Sequence, residues 1–325
     1  MVYHVLVPDN LSQAGIEVLE AVPDFRVTRG PLTREEALQA AADADALIVR
    51  SATKVNAEFL AAAPKLKCIA RAGVGVDNVD LKAASARGIP VMNTPGGNTN
   101  ATAEHTLGLM LALARQIPAA HQSLAEGRWD RKQFVGTELR GKTLGIVGLG
   151  RVGQHVACLG LAFGMTVLAY DPNKTAADFE RVGVVAVSLQ DLLARSDYVS
   201  LHAPANAETR NMINAESIAG MKDGARLINT ARGALVDTQA LAEAIRSGKL
   251  AGAAVDVYEE EPPPADHPLL GLDRVVHTPH LGASTQEAQV QVGVEAAELV
   301  RDALLKGEYR NVVNMGQWDA IPAGD

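Results

Sequence analysis

Short runs of apolar, β-branched residues alternate with amphipathic stretches from the start of the chain. Residues 4–8 (HVLVP) have the density of a buried strand, and Ser12 stands where the next helix needs an N-cap. Thr33 and Glu36 have capping-box spacing before a second helix, and residues 46–50 (ALIVR) return to strand. Cys68–Arg71 and residues 90–93 predict two more strands, separated by a short helix at Leu81–Ala86. Such alternation implies a parallel sheet with right-handed crossovers. Residues 99–125 then read as one long helix, apolar on most sides and interrupted by Pro118, which predicts burial, in part against another subunit.

Strand–turn–helix alternation begins afresh at residues 142–148. It continues through strands at 167–170, 198–202, Ala225–Asn229, 253–257 and 275–278. A last helix, 284–306, is expected to open on a second capping box, Ser284 with Glu287. The dinucleotide motif described below starts near the middle of the chain, and a dinucleotide fold starts with the strand that carries that motif. The first ninety-odd residues therefore predict a separate α/β unit into which the second is inserted. The boundaries expected are 1–97 with 284–325 for a substrate-binding domain, and 98–283 for the nucleotide-binding domain. The fold class is thus α/β, with two doubly wound parallel sheets, the first flavodoxin-like and the second a Rossmann domain.

Composition narrows the picture. Of 325 residues 47% are hydrophobic but only 4% aromatic, so the core must be built from Ala, Val, Leu and Ile, which suits helices packed on a parallel sheet. A formal charge of -8 argues against nucleic acid or an anionic membrane as partner, and requires a local basic pocket for any anionic substrate. Cys68 and Cys158 lie in apolar runs without metal-ligand spacing and read as buried free thiols of a reducing compartment. No charged-then-apolar leader opens the chain, and the apolar stretch 107–113, flanked by Glu104, His105 and Arg115, is too short to span a bilayer. A cytoplasmic location is expected.

The apolar strand at 143–147 leads into Gly148-Leu149-Gly150-Arg151-Val152-Gly153, followed by a helical pattern over 154–163. The first glycine permits the tight turn, the second lets backbone approach a pyrophosphate, and the third allows close helix–strand packing. Asp171 ends the next strand, where its carboxylate can accept hydrogen bonds from ribose hydroxyls and repel a 2′-phosphate. NAD is the cofactor this pattern predicts, with Lys174 the one feature leaning towards NADP.

Further along, Arg232 follows strand Ala225–Asn229 and precedes Gly233. A guanidinium at the carboxyl end of a sheet strand can grip a carboxylate bidentately. His280, between a strand and a helix and near the Glu259-Glu260-Glu261 run, has the setting a proton-transfer step needs.

The stretches Arg71–Asp80 (RAGVGVDNVD), Gly148–Gly153, Asn229–Asp237 (NTARGALVD) and Pro279–Ser284 (PHLGAS) resemble the D-isomer-specific 2-hydroxyacid dehydrogenases, and within them the phosphoglycerate dehydrogenases. The resemblance runs over nearly the whole chain. It implies Arg232, Glu261 and His280 as catalytic residues, Arg232 holding the substrate carboxylate and His280 exchanging a proton with the hydroxyl. It implies NAD contacts at Gly148, Gly150, Arg151, Val152, Gly153 and Asp171. Further contacts are implied at His202, Ala203, Pro204, Thr230, Ala231, Arg232, Asp256, His280 and Gly282. For the substrate it implies Arg50, Ser51, Arg71, Val74, Gly75 and Asn78, with Arg232, His280 and a neighbouring subunit's Arg131.

The activity implied is oxidation of D-3-phosphoglycerate to 3-phosphohydroxypyruvate, the first step of phosphorylated serine biosynthesis, by a homodimer built on residues 99–125. A glyoxylate or hydroxypyruvate reductase would keep Arg232, Glu261 and His280 without needing the three arginines. A corepressor of the C-terminal-binding-protein type would share the scaffold and bind short peptides. The sequence ends at Asp325, without the serine-binding domains many phosphoglycerate dehydrogenases carry, which reads either as a short form or as a piece of a longer chain, and no inhibition by serine is expected.

Overall fold

In the computed structural model, which describes residues 2–314, the chain divides into two units, one reaching Asn98 and resuming at Thr285, the other Thr99–Ser284. Residues 315–325, expected to close the first domain, lie outside the described residues. The first unit runs β1 (Tyr3–Val7), α1 (Gln13–Glu20), β2 (Phe25–Arg29), α2 (Arg34–Ala41), β3 (Ala46–Val49), α3 (Ala57–Ala62), β4 (Cys68–Arg71), α4 (Leu81–Ala86) and β5 (Val91–Asn93). Its strands are parallel in the order β2-β1-β3-β4-β5, the flavodoxin-like order. Alternate residues of each strand feed opposite cores. Val5, Ile48, Ala70 and Met92 join one with Ile16 and Leu19, while Leu6, Leu47, Ile69 and Val91 join the other with Phe59 and Leu60. Both faces are covered, which is why these strands read as unbroken apolar runs rather than alternating ones.

Two of the caps read from sequence form: the Ser12 hydroxyl accepts from the Gly15 amide, and Thr33 and Glu36 exchange bonds as a capping box. The long helix Gln286–Lys306 belongs to this unit and crosses α1 where two glycines meet, a Cβ on Gly15 lying 2.7 Å from the Gly293 carbonyl. Its N-cap departs from expectation. Thr285, not Ser284, caps it, accepting from the Ala288 amide, and the box with Glu287 does not form.

The second unit opens with α5 (Thr99–Arg115) and α6 (Ile117–Ala125). The single helix expected over 99–125 is therefore two. The break falls at Gln116, left-handed at φ 54°, and Pro118 sits in the first turn of α6, where it forfeits no helical bond. There follow β6 (Thr143–Val147), α7 (Arg151–Ala162), β7 (Thr166–Tyr170), α8 (Ala176–Val182), β8 (Val185–Ala186), α9 (Leu189–Arg195) and β9 (Tyr198–Leu201). Then come α10 (Ala215–Ala219), β10 (Ala225–Asn229), a 3-10 turn (Gly233–Leu235), α11 (Thr238–Ser247), β11 (Leu250–Val255) and β12 (Val275–His277).

The sheet order, β12-β11-β10-β9-β6-β7-β8, is the doubly wound Rossmann order extended by one strand, with its switch point between β6 and β9. The two thiols differ, against the expectation that both are buried. Cys68 is buried, and burial pushes it up to about 12. Cys158 is exposed, because α7 buries Gly153, Val156, Ala157 and Gly160 and turns Cys158 away from them. Among the described residues no helix is long and apolar enough to cross a membrane, and no group of side chains has the makings of a metal site.

Candidate active site and dinucleotide site

The glycine loop joins β6 to α7. Gly148 has φ +94°, and a Cβ there would lie 2.7 Å from the His202 carbonyl, so the loop closes only with glycine. Around Gly150 nothing lies within 4 Å of where a Cβ would be, which leaves backbone open to a ligand, and this residue caps α7 with no side chain of its own. A 12-residue helix thus presents its first turn of amides, the arrangement that binds a pyrophosphate. At the end of β7, Asp171 accepts from the Leu149 amide at 2.8 Å and the Asn173 amide at 2.9 Å, one through each oxygen. Each oxygen keeps a second lone pair for a ribose hydroxyl. These residues fit NAD.

At the ends of β9, β10 and β12 the other predicted residues gather. His202 bonds Ser200 Oγ at 2.8 Å, and burial brings its imidazole down to about 4, so it is neutral near pH 7. Ala203 and Pro204 follow it directly. Thr230 is buried, its hydroxyl 2.8 Å from that of Thr106 on α5. Ala231 donates its amide to Asn229 Oδ1, and Asn229 Nδ2 donates to the Arg232 carbonyl, which fixes the backbone carrying Arg232. Gly233 is needed because the Tyr258–Glu259 backbone passes directly over it, bringing the Arg232 turn against the loop that holds Glu261.

Glu261 and His280 meet through Oε2 and Nδ1 at 2.7 Å. A carboxylate only accepts, so Nδ1 carries the hydrogen and Nε2 is left with its lone pair. Burial raises the Glu261 carboxyl, but the bonds from His280 and the Tyr258 amide, with the charge on Arg232, outweigh it and hold the group below its ordinary value. The hydrogen bond to Glu261 raises the His280 imidazole above its ordinary value, against burial and the Arg232 charge. His280 is left-handed at φ 55°, a strained geometry for a residue with a side chain. A pocket of about 370 Å³, walled by Tyr258, Pro262, Pro263 and Pro279, opens beside the pair.

Asp256, expected near the cofactor, has a task the sequence did not disclose. It is fully buried, and its oxygens accept from the Leu281 amide (2.7 Å), the Gly282 amide (2.8 Å), Thr278 Oγ1 (2.6 Å) and His105 Nε2 (3.2 Å). Burial raises its carboxyl, yet these four donors together hold it below the ordinary value. Sequence reasoning missed His105 and Thr106 as site residues. Their spacing on an apolar helix is the one signal available, a pair of polar side chains set among residues that are otherwise mostly buried.

In the first unit, β3 and β4 pair with Val49 opposite Arg71, so Arg50 and Arg71 emerge at the same carboxyl edge of the sheet. Asp9 takes the Arg50 amide at 2.6 Å and the Thr53 hydroxyl at 2.6 Å, tightening the turn that contains the exposed Ser51. Asn78 spends its amide hydrogens on the carbonyls of Arg50 and Thr53, both at 2.7 Å, and so ties that turn to the loop of Val74 and Gly75. The Arg50 guanidinium donates to the Asn10 carbonyl, and Arg71 folds over Gly73. Arg131 belongs to the second unit, on an exposed stretch beside Trp129.

A Rossmann sheet with a glycine loop, an acid at the end of its second strand and a paired glutamate and histidine close to Arg232 is the setting of a nicotinamide-dependent dehydrogenase class. Residues 107–282 match the model of the D-isomer specific 2-hydroxyacid dehydrogenase, NAD binding domain. The chain belongs to that family. It is 50% identical over 313 residues to a D-3-phosphoglycerate dehydrogenase of Methanocaldococcus jannaschii, covering 96% of this chain and 59% of that protein. It is 48% identical over 300 residues to a hydroxypyruvate reductase of Thermotoga maritima, covering 92% of this chain and 97% of that one. A solved glyoxylate reductase from Paecilomyes thermophila superposes with a TM-score of 0.87 at 34% identity, covering 97% of this chain and 99% of the other. The chain spans somewhat under three fifths of the length of the D-3-phosphoglycerate dehydrogenases it matches.

Proposed function

We propose that this chain is an NAD-dependent dehydrogenase of D-2-hydroxy acids, and that its substrate is D-3-phosphoglycerate. The observation that carries the chemistry is the 2.7 Å Glu261–His280 pair beside Arg232, in the unit that holds the glycine loop. NAD, when bound, supplies the hydride acceptor. Arg232 holds the carboxylate and polarises the C2 oxygen. As the C2–H bond breaks and its electron pair leaves with the hydrogen, the hydroxyl proton passes to His280 Nε2. Glu261 then stabilises the imidazolium. In reduction the same proton is returned to the oxygen.

The phosphorylated substrate is favoured by Arg50 and Arg71 at one sheet edge and by the roughly 50% identity to D-3-phosphoglycerate dehydrogenases. The full-length hydroxypyruvate reductase relative supports a second reading, reduction of hydroxypyruvate or glyoxylate. NADH consumption with phosphohydroxypyruvate, hydroxypyruvate and glyoxylate separates them. Preference for the phosphorylated acid, lost in Arg50→Ala or Arg71→Ala, supports the first. Equal or better use of the unphosphorylated acids moves the chain to the reductase branch.

The enzyme so proposed is a cytoplasmic homodimer. Ile117, Leu124, Trp129 and Val135 are exposed within 19 residues of sequence, a concentration of apolar surface suited to a second copy, and Arg131 lies among them.

A further inference from the structure

Helix α5 carries Thr102, His105 and Thr106 at i, i+3 and i+4, on one face. That face touches both loops that bear the reacting residues. Thr106 donates to the Thr102 carbonyl at 2.7 Å, so at the 2.8 Å contact with Thr230 it is Thr230 that donates, which anchors the turn running on to Arg232. His105 reaches the other loop. Its Nε2 lies 3.2 Å from Asp256 Oδ1 and 3.1 Å from Thr278 Oγ1, and Thr278 gives its own hydrogen to Asp256 at 2.6 Å. Both neighbours therefore present lone pairs to Nε2, which must carry a hydrogen shared between them.

The carboxylate so held grips the His280 turn. It accepts the amides of Leu281 and Gly282, while the Asp256 carbonyl accepts the His280 amide at 2.8 Å. Three consecutive amides thus end on one buried residue. A Cβ on Gly282 would lie 3.2 Å from Asp256 Oδ2 and 3.4 Å from Thr102 Cγ2, so the turn is pressed against both. Left-handed backbone at a histidine persists only where its surroundings over-determine it, and Asp256 is the surrounding that does so. The orientation of Asp256 is set in turn by its side-chain donors, Thr278 and His105, of which His105 is the one that comes from a helix.

We propose that His105 is a positioning residue for His280: through Asp256 it fixes the turn 278–282 and with it the aim of the His280 ring at Glu261. This rests on the dehydrogenase reading above, with His280 as proton carrier. His105 acts through its shared bond to Asp256 and Thr278, and its side chain is 21% exposed.

The test compares His105→Leu with His105→Gln, whose amide keeps a donor at the end of the side chain. Five quantities are read: kcat and KM for 2-keto acid reduction, the NADH Kd, the Tm, and the titration of the His280 ring followed by NMR in the unliganded protein. In His105→Leu, kcat falls at least tenfold while KM and the NADH Kd stay within about threefold. The His280 titration moves to lower pH as its bond to Glu261 loosens. His105→Gln recovers most of both. The proposal is overturned if His105→Leu leaves kcat and the His280 titration unchanged, or if Gln restores thermal stability but neither of these. Absence of turnover in the unsubstituted chain would overturn the dehydrogenase reading instead, since the His280 titration is read without substrate.

Discussion

At the residue scale, the proposed reaction asks His280 both to accept a proton and to return it, and makes Glu261 the group that sets where along the pH axis it does so. The 2.7 Å bond raises the imidazole above its ordinary value. Oxidation of a hydroxy acid needs His280 neutral, so its rate climbs as pH rises through that raised value. Reduction needs His280 protonated, so its rate falls over the same interval. Replacing Glu261 with Gln removes the main cause of the elevation, and both limbs are expected to move to lower pH, with turnover reduced. Profiles of kcat/KM in the two directions check this, and limbs that stay where they were would deny Glu261 its role. Asp171 offers a separate test. In the proposed site its charge repels a 2′-phosphate, so Asp171→Ser should narrow the preference for NAD over NADP, read as the ratio of the two kcat/KM values. An unchanged ratio would place the discrimination elsewhere.

At the scale of elements, the caps show what local chemistry discloses. Ser12, Thr33 with Glu36, helix Leu81–Ala86 and strand Ala225–Asn229 were legible because each is specified by neighbours in sequence. Gln116 was not, since nothing in a glutamine announces a left-handed turn, whereas Pro118 suggested a break that the first turn of α6 absorbs. Ser284 and Thr285 are adjacent residues of the same chemistry, and the choice between them depends on how the helix seats against its unit. Thr285→Ala should therefore cost about 1 kcal/mol in chemical denaturation and Ser284→Ala much less. The reverse order would restore Ser284 as the cap. Gly148→Ala should cost on the order of 2 kcal/mol, from strain at φ +94° and the collision with His202, and should weaken NADH binding with it. The bond from His105 to Asp256 joins residues far apart in sequence, so it belongs to packing, and its one local trace is a polar pair on an apolar helix.

At the scale of the whole molecule, the two sheets place their chemistry by one rule: ligands meet the carboxyl ends of parallel strands. Arg50 and Arg71 in the first unit, and Asp171, His202, Arg232 and His280 in the second, all end or closely follow strands in this way. The motifs therefore placed these residues at strand ends even where helix boundaries were missed. Assembly is tested at Trp129 and Val135, each 78% exposed. Trp129→Lys with Val135→Lys should yield a monomer in sedimentation, with weaker use of a phosphorylated substrate if a neighbour's Arg131 contributes to it. A dimer that survives the double substitution would put the interface on another surface. The most direct measurement is turnover of NADH with phosphohydroxypyruvate in His280→Ala, beside the NADH Kd of the same variant. Turnover reduced by about 10²–10⁴-fold at nearly unchanged Kd is the predicted result. Equal loss of both, or turnover that survives, would contradict His280 as the proton carrier.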